Sequence, residues 1–193
     1  NSPESYTPFL DSILGKSMFF EDAIANSRTS MDAVPSVVSS IPAFTNESFI
    51  LSSYSSNQFQ GLPSILKKDG YFSAFFHGAN NGSMRFDGFT SAAGFDRYYG
   101  RNEYPNDAHF DGNWGIEDHH MLSFAADEMS HFKSPFFSMI FTLSSHHPYT
   151  IPTEFKAKVK KGPEPLCATI SYVDMALREF WEKAQKQAWF KRS

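Results

Sequence analysis

The run Phe136-Phe137-Ser138-Met139-Ile140-Phe141-Thr142-Leu143 constrains the fold more than any other stretch of the sequence. It is short for a globular helix, rich in aromatic and branched residues, and apolar at both odd and even positions. Such a run fits a strand covered on both faces of a parallel sheet. A second run, Tyr71-Phe72-Ser73-Ala74-Phe75-Phe76, has the same character and follows the turn signal Asp69-Gly70. Parallel sheets need helices on both faces, and the sequence supplies them. Segments 8–14, 30–41, 62–68 and 116–132 read as helices, and Phe19 to Ala25 reads as a further strand. The last helix is the most regular. Ile170, Val173, Leu177, Phe180 and Ala184 recur at helical spacing, with Glu179–Lys183 and Glu182–Lys186 as i,i+4 pairs on the other side. Residues 99–114 and 150–165 are long surface loops. This alternation of strand and helix predicts an α/β sheet with helices layered on both faces.

A chain of 193 residues, 41% apolar and 20% charged, can bury one substantial core, so one domain is expected. A formal charge of -4 without a long basic run excludes the footprint of a general nucleic-acid binder and leaves an anionic small substrate open. The single cysteine, Cys167, has no partner for an internal disulfide and reads as a half-buried small hydrophobe. No stretch reaches the roughly 18 to 20 apolar residues of a membrane span.

Candidate chemistry gathers at strand ends and helix starts. Asn26-Ser27-Arg28-Thr29-Ser30-Met31-Asp32 lies where a strand hands over to a helix. A hydroxyl there meets free backbone N–H groups and the positive end of the helix dipole, which suit a phosphate or sulfate. Thr29 or Ser30 is therefore either a nucleophile or an ordinary N-cap. His77 ends one strand run, and the other delivers Ser144-Ser145-His146-His147, so two histidine-bearing ends share one sheet edge. Arg28 and Arg85 are candidates for bidentate contact with an anion. Asp111, Glu117 and Asp118 read as a solvated loop face. His119 and His120, adjacent on a helix, are expected to diverge rather than share a metal, and His109 and His131 have no informative context.

The order of motifs resembles the catalytic domain of the sulfatase and lipoteichoic acid synthase-like family of phosphoglycerol transferases. The resemblance rests on Thr7-Pro8-Phe9-Leu10-Asp11, Phe19-Phe20-Glu21-Asp22-Ala23, Arg28-Thr29-Ser30, Phe76-His77-Gly78-Ala79, Gly94-Phe95-Asp96-Arg97-Tyr98-Tyr99, Trp114-Gly115-Ile116-Glu117-Asp118, Ser144-Ser145-His146-His147-Pro148-Tyr149 and Tyr172-Val173-Asp174. It implies a three-layer αβα sandwich with a mostly parallel central sheet, of the alkaline phosphatase type. It further implies that Thr29 is both a metal ligand and the residue modified during phosphoryl or sulfuryl transfer, with Mn2+ or another divalent ion (Mg2+, Ca2+, Zn2+) as cofactor. The resemblance also puts His146 in the substrate pocket and His77 close to it, and Arg85 and Arg28 join them as the candidate substrate-binding residues. The implied substrate is a lipid head group or glycan ester, at the outer face of a bacterial membrane. The family's other metal ligands are a Glu on a strand before the Thr7 motif and an Asp-His pair on a strand after the final helix. Neither is found in this chain, and Glu4 sits too close to Thr7 to be that Glu, so an incomplete domain is expected. Where the lipoteichoic acid synthases carry Trp-x-Arg, this chain has Met84-Arg85-Phe86, with the arginine one residue out of register. The alternative reading is a non-catalytic fragment that binds an anionic glycan or head group.

Overall fold

The computed structural model describes residues 5–133 and 135–193, so Glu4 lies outside the described residues. Gly70, at a φ of 79°, turns the chain into β1 (Phe72–His77). This strand is central, with β2 (Arg97–Tyr99) on one side and β3 (Phe136–Phe141) on the other, both parallel to it. Phe72 stands opposite Phe136 and His77 opposite Phe141, so β1 and β3 end together.

The pleat sends alternate residues of β1 to opposite layers. Phe75 faces α2 (Ser30–Ser39) and α4 (Phe86–Ala93), with the short α3 (Leu62–Leu66) beside them, and Val34, Val38, Phe86 and Phe89 complete one buried cluster. Ala74 and Phe76 face α5 (Asp118–Met129), packing on Met121, Ala125 and Met129. Outside α5 lies α6 (Pro165–Ala184), joined to it through Leu122, Tyr172 and Ala176. Helices on both faces of a parallel sheet give the predicted αβα layering. The short helix α1 (Pro8–Ile13) docks on α6, where Asp174 accepts the Phe9 and Leu10 backbone N–H groups at 2.9 and 3.0 Å. That carboxylate satisfies two of the donors a helix start leaves free.

Several expectations need correction. Phe19 to Ala25 is not a strand: no strand among the described residues pairs with it, and Phe19, Phe20 and Ile24 are 61%, 69% and 94% exposed. The strand β3 is an edge strand with every residue partly exposed, not one covered on both faces. Two elements, α4 and β2, add to those expected from the sequence. Lys183 does not pair with Glu179; it reaches across to Asp127 of α5 at 2.5 Å and Ser123 at 2.8 Å, so it joins two helices. Pro35 lies inside α2, where its missing N–H leaves the Met31 carbonyl without its helical donor. The Ser48 hydroxyl donates to that carbonyl at 2.9 Å instead.

Candidate functional site

Because the strands are parallel, their carboxyl ends meet at one rim. The segment after β3 is held there by Asp118, the first residue of α5, which accepts from the Leu143 and Ser144 backbone N–H groups at 2.7 and 3.1 Å. At 2% exposure this carboxylate is buried, contrary to the solvated loop face expected of it. Burial raises its pKa against the opposing pull of those hydrogen bonds. Trp114 donates from Nε1 to the His147 carbonyl at 2.5 Å, and its ring lies 5.3 Å from that of His146. His146 Nδ1 is 2.8 Å from the Leu143 carbonyl, which can only accept, so Nδ1 carries the proton and Nε2 is left as the reactive nitrogen.

His77 is fully buried, with Nδ1 2.8 Å from the Tyr98 hydroxyl and its ring between those of Phe86 and Phe141. Its Nε2 is buried without a hydrogen-bond partner among the described residues. Burial first, then the nearby His146, depress the pKa of His77 to about 4, with Asp87 opposing. Folding therefore favours neutral imidazole, and this contribution is whole above the unfolded pKa of 6.5 and lost as pH falls towards 4. His77→Gln is expected to remove about 2 kcal/mol of the stability loss between pH 7 and pH 5. Urea unfolding of both proteins at the two pH values checks this; equal losses contradict it.

Thr29 stands exposed at the N-cap of α2. Its hydroxyl does not cap the helix but donates to Asp32 at 2.7 Å, where the Ser27 hydroxyl also donates at 3.1 Å. The Thr29 hydrogen bond is the main reason that the Asp32 carboxyl titrates below its usual range. Arg28 is exposed beside it. Arg85 is exposed at the N-cap of α4 in the left-handed region, φ 54°, and borders a cavity of about 190 Å3 with Ile50, Phe59 and Phe89. The helices opened by Thr29 and Arg85 pack on each other, and Met31 and Met84 share their core cluster. Phe86, next to Arg85, touches His77. The helix that starts after Thr29 thus packs on α4, whose Phe86 touches His77, while among the described residues the Thr29 hydroxyl hydrogen-bonds to Asp32 alone.

As a metal site the Thr29 region is thin. Its donors are two hydroxyls and one carboxylate, fewer than the four to six that divalent ions take. The ligand-like group among the described residues is elsewhere: Glu117, His119, His120 and Glu154 bring their donor atoms within 4.8 Å of one another. The expected divergence of His119 and His120 is not what the packing gives. In the first turn of α5 the His119 and His120 rings lie 3.9 Å apart rather than diverging, and His109 stacks on His120 at 3.4 Å. The signal was the Glu-x-His-His spacing, but its fourth member comes from a distant loop. Burial, then Glu154 and Asp111, raise Glu117 to about 6. Burial, then His119 and His109, lower His120 to about 4.

Comparison with known proteins agrees with this architecture. The chain is 26% identical over 144 residues to lipoteichoic acid synthase 1 of Bacillus subtilis, covering 71% of this chain and 22% of that protein. It is 24% identical over 195 residues to a lipoteichoic acid synthase-like protein of the same organism, covering 97% of this chain and 31% of that protein. The chain therefore spans about a third or less of these curated relatives. A crystal structure of an alkaline phosphatase superfamily protein from Vibrio parahaemolyticus superposes with a TM-score of 0.84 at 28% identity, over 95% of this chain and 45% of that one. A family model described as sulfatase matches residues 1–191, nearly the whole chain, and by that match together with its parallel αβα core this chain belongs to the sulfatase family.

Proposed function

We propose that this chain is part of a phosphoryl- or sulfuryl-transfer domain in which Thr29 is the nucleophile. The observation that carries the reading is a threonine hydroxyl at the N-terminus of α2, beside Arg28, in a chain whose relatives bear the name lipoteichoic acid synthase. Thr29 Oγ1 would give its proton to Asp32 and form the new bond to phosphorus or sulfur while the ester oxygen leaves with the bonding pair and takes a proton from water; an acceptor alcohol or water would then take the group from Thr29, and the α2 dipole favours the negative charge that gathers on it. Asp32 orients the hydroxyl through their 2.7 Å hydrogen bond. Arg28 and Arg85 would bind the anion. His146, with Nδ1 pinned to the Leu143 carbonyl, would meet it through Nε2, and neutral His77 would support the pocket from below.

The resemblance assigns a divalent ion, Mn2+, to Thr29, and such an ion neutralises developing charge when bound. The oxygen donors around Thr29 do not close a site for it, so the reading requires further ligands from the rest of the protein. The substrate proposed is a lipid head group or glycan ester at the outer face of a bacterial membrane. No helix among the described residues is long and apolar enough to cross a membrane, so attachment would come from other segments. The sparse donor set also favours a second reading, a non-catalytic module that binds an anionic glycan or head group.

Turnover of p-nitrophenyl phosphate and p-nitrophenyl sulfate with Mn2+ separates the two. Transfer chemistry predicts that a longer polypeptide carrying the flanking segments hydrolyses one ester while the 193-residue chain does not. Inactivity of both, with retained binding of an anionic glycan, supports the module.

A further inference from the structure

The group at the start of α5 lies apart from Thr29, and nothing in the transfer chemistry uses it. We propose that Glu117, His119, His120 and Glu154 form a second divalent-metal site, suited to an ion of the Zn2+ class that accepts mixed imidazole and carboxylate ligands.

Three features support it. The four donor atoms already lie within 4.8 Å of one another. Bonds of about 2.0 to 2.2 Å in a tetrahedron place ligand atoms roughly 3.4 Å apart, so the side chains need to close by at most about 1.4 Å. His119 Nε2 already stands 3.2 Å from Glu154, and His120 Nε2 3.8 Å from Glu117. Glu154 is half exposed and can rotate inward, whereas the imidazoles are positioned by packing.

The second feature is the support behind His119. Its Nδ1 lies 2.7 Å from the hydroxyl of Tyr172, a fully buried side chain of α6. With an ion bound, Nδ1–H donating to that hydroxyl would leave the Nε2 lone pair for the metal, the arrangement by which a metal-ligating histidine is fixed in ring orientation and tautomer.

The third is charge. Among the described residues neither Glu117 nor Glu154 has a Lys or Arg within ion-pair distance; their nearest partners are the two imidazoles. Two carboxylates with no Lys or Arg paired to them suit a divalent cation. Carboxylates and imidazoles together suit Zn2+ better than Mg2+ or Ca2+, which select all-oxygen sets. Three ligands come from the first turn of α5 and the fourth from the 150–164 loop, so the ion would tie that loop to the helix that also carries Asp118.

This proposal stands independently of the transfer reading. The 193-residue chain is titrated with Zn2+ against a chromophoric chelator, and with Co2+ while its visible bands are followed. One Zn2+ per chain is expected, with Co2+ absorption of four- or five-coordinate intensity. Glu154→Gln and His120→Ala should each weaken Zn2+ binding at least tenfold, and Thr29→Ala should leave it unchanged. Because Glu154 is half exposed, Glu154→Gln should melt at the metal-free wild-type temperature yet lose the Zn2+-induced rise in Tm. Zn2+ binding unaffected by both ligand substitutions, binding lost with Thr29→Ala, or no stoichiometric binding would each overturn the site.

Discussion

In a polypeptide active on aryl esters, Thr29→Ala is expected to lower turnover by on the order of 10^4 to 10^6, the range seen when an enzyme loses its nucleophile. The covalent adduct, read as a mass increase of the Thr29 peptide after quenching, should vanish with it. Alanine keeps the backbone N–H groups of the α2 start and the neighbouring arginine, so anion binding and KM should change far less than kcat. The fold should also survive. The Thr29 side chain is exposed and does not cap the helix, and its loss removes only the hydrogen bond to Asp32, a cost of about 1 kcal/mol. Thr29→Ser retains a hydroxyl at the same place and should restore part of the turnover and all of the labelling. An alanine variant that still forms the adduct would place the nucleophile elsewhere.

The sequence was most legible where one feature decides structure by itself. Periodic apolar residues announced α6, and the two apolar runs announced β1 and β3 with their shared rim, because a parallel pair must end on the same side. Local pattern failed where the outcome depended on a partner. Phe19 to Ala25 has the residues of a strand, but a strand exists only against another strand, and none pairs with it. The helix α4 carries Gly88 and Thr90, both weak helix formers, although Phe86, Phe89, Thr90 and Ala93 have helical spacing and form its buried face. At the candidate site, the placement of Thr29 at a helix start is legible from the Ser/Thr residues that open α2, although the strand expected before it is not there, and its hydrogen bond to Asp32 turns on a rotamer that spacing does not fix. The Glu117, His119, His120 and Glu154 group lay furthest from reach. Glu117 alone reads as part of a solvated loop and His119 and His120 as divergent, and only tertiary packing brings Glu154 to them.

Asp118 offers the largest stability effect outside the apolar core. Asp118→Ala is expected to cost about 2 to 4 kcal/mol, measured by urea unfolding, because it strands the buried Leu143 and Ser144 N–H donors at about 1 to 3 kcal/mol each. Relief of carboxylate burial offsets part of this. The pH dependence tests that balance. Burial raises the folded pKa of Asp118 above its unfolded 3.8, so its net contribution is whole below that pH and declines as pH rises through the folded value. The penalty of Asp118→Ala should therefore be larger at pH 4 to 5 than at pH 8; the reverse order would mean that hydrogen bonding to the ionised form outweighs burial. Asp118→Asn should fall between, since its amide keeps only one accepting oxygen. Both variants also probe the rim, because the Leu143 carbonyl that fixes the His146 tautomer belongs to the segment that Asp118 holds. A positioning role predicts that Asp118→Asn, while still folded, raises KM for the ester more than it lowers kcat, whereas a purely structural role predicts a lower unfolding midpoint with both constants unchanged.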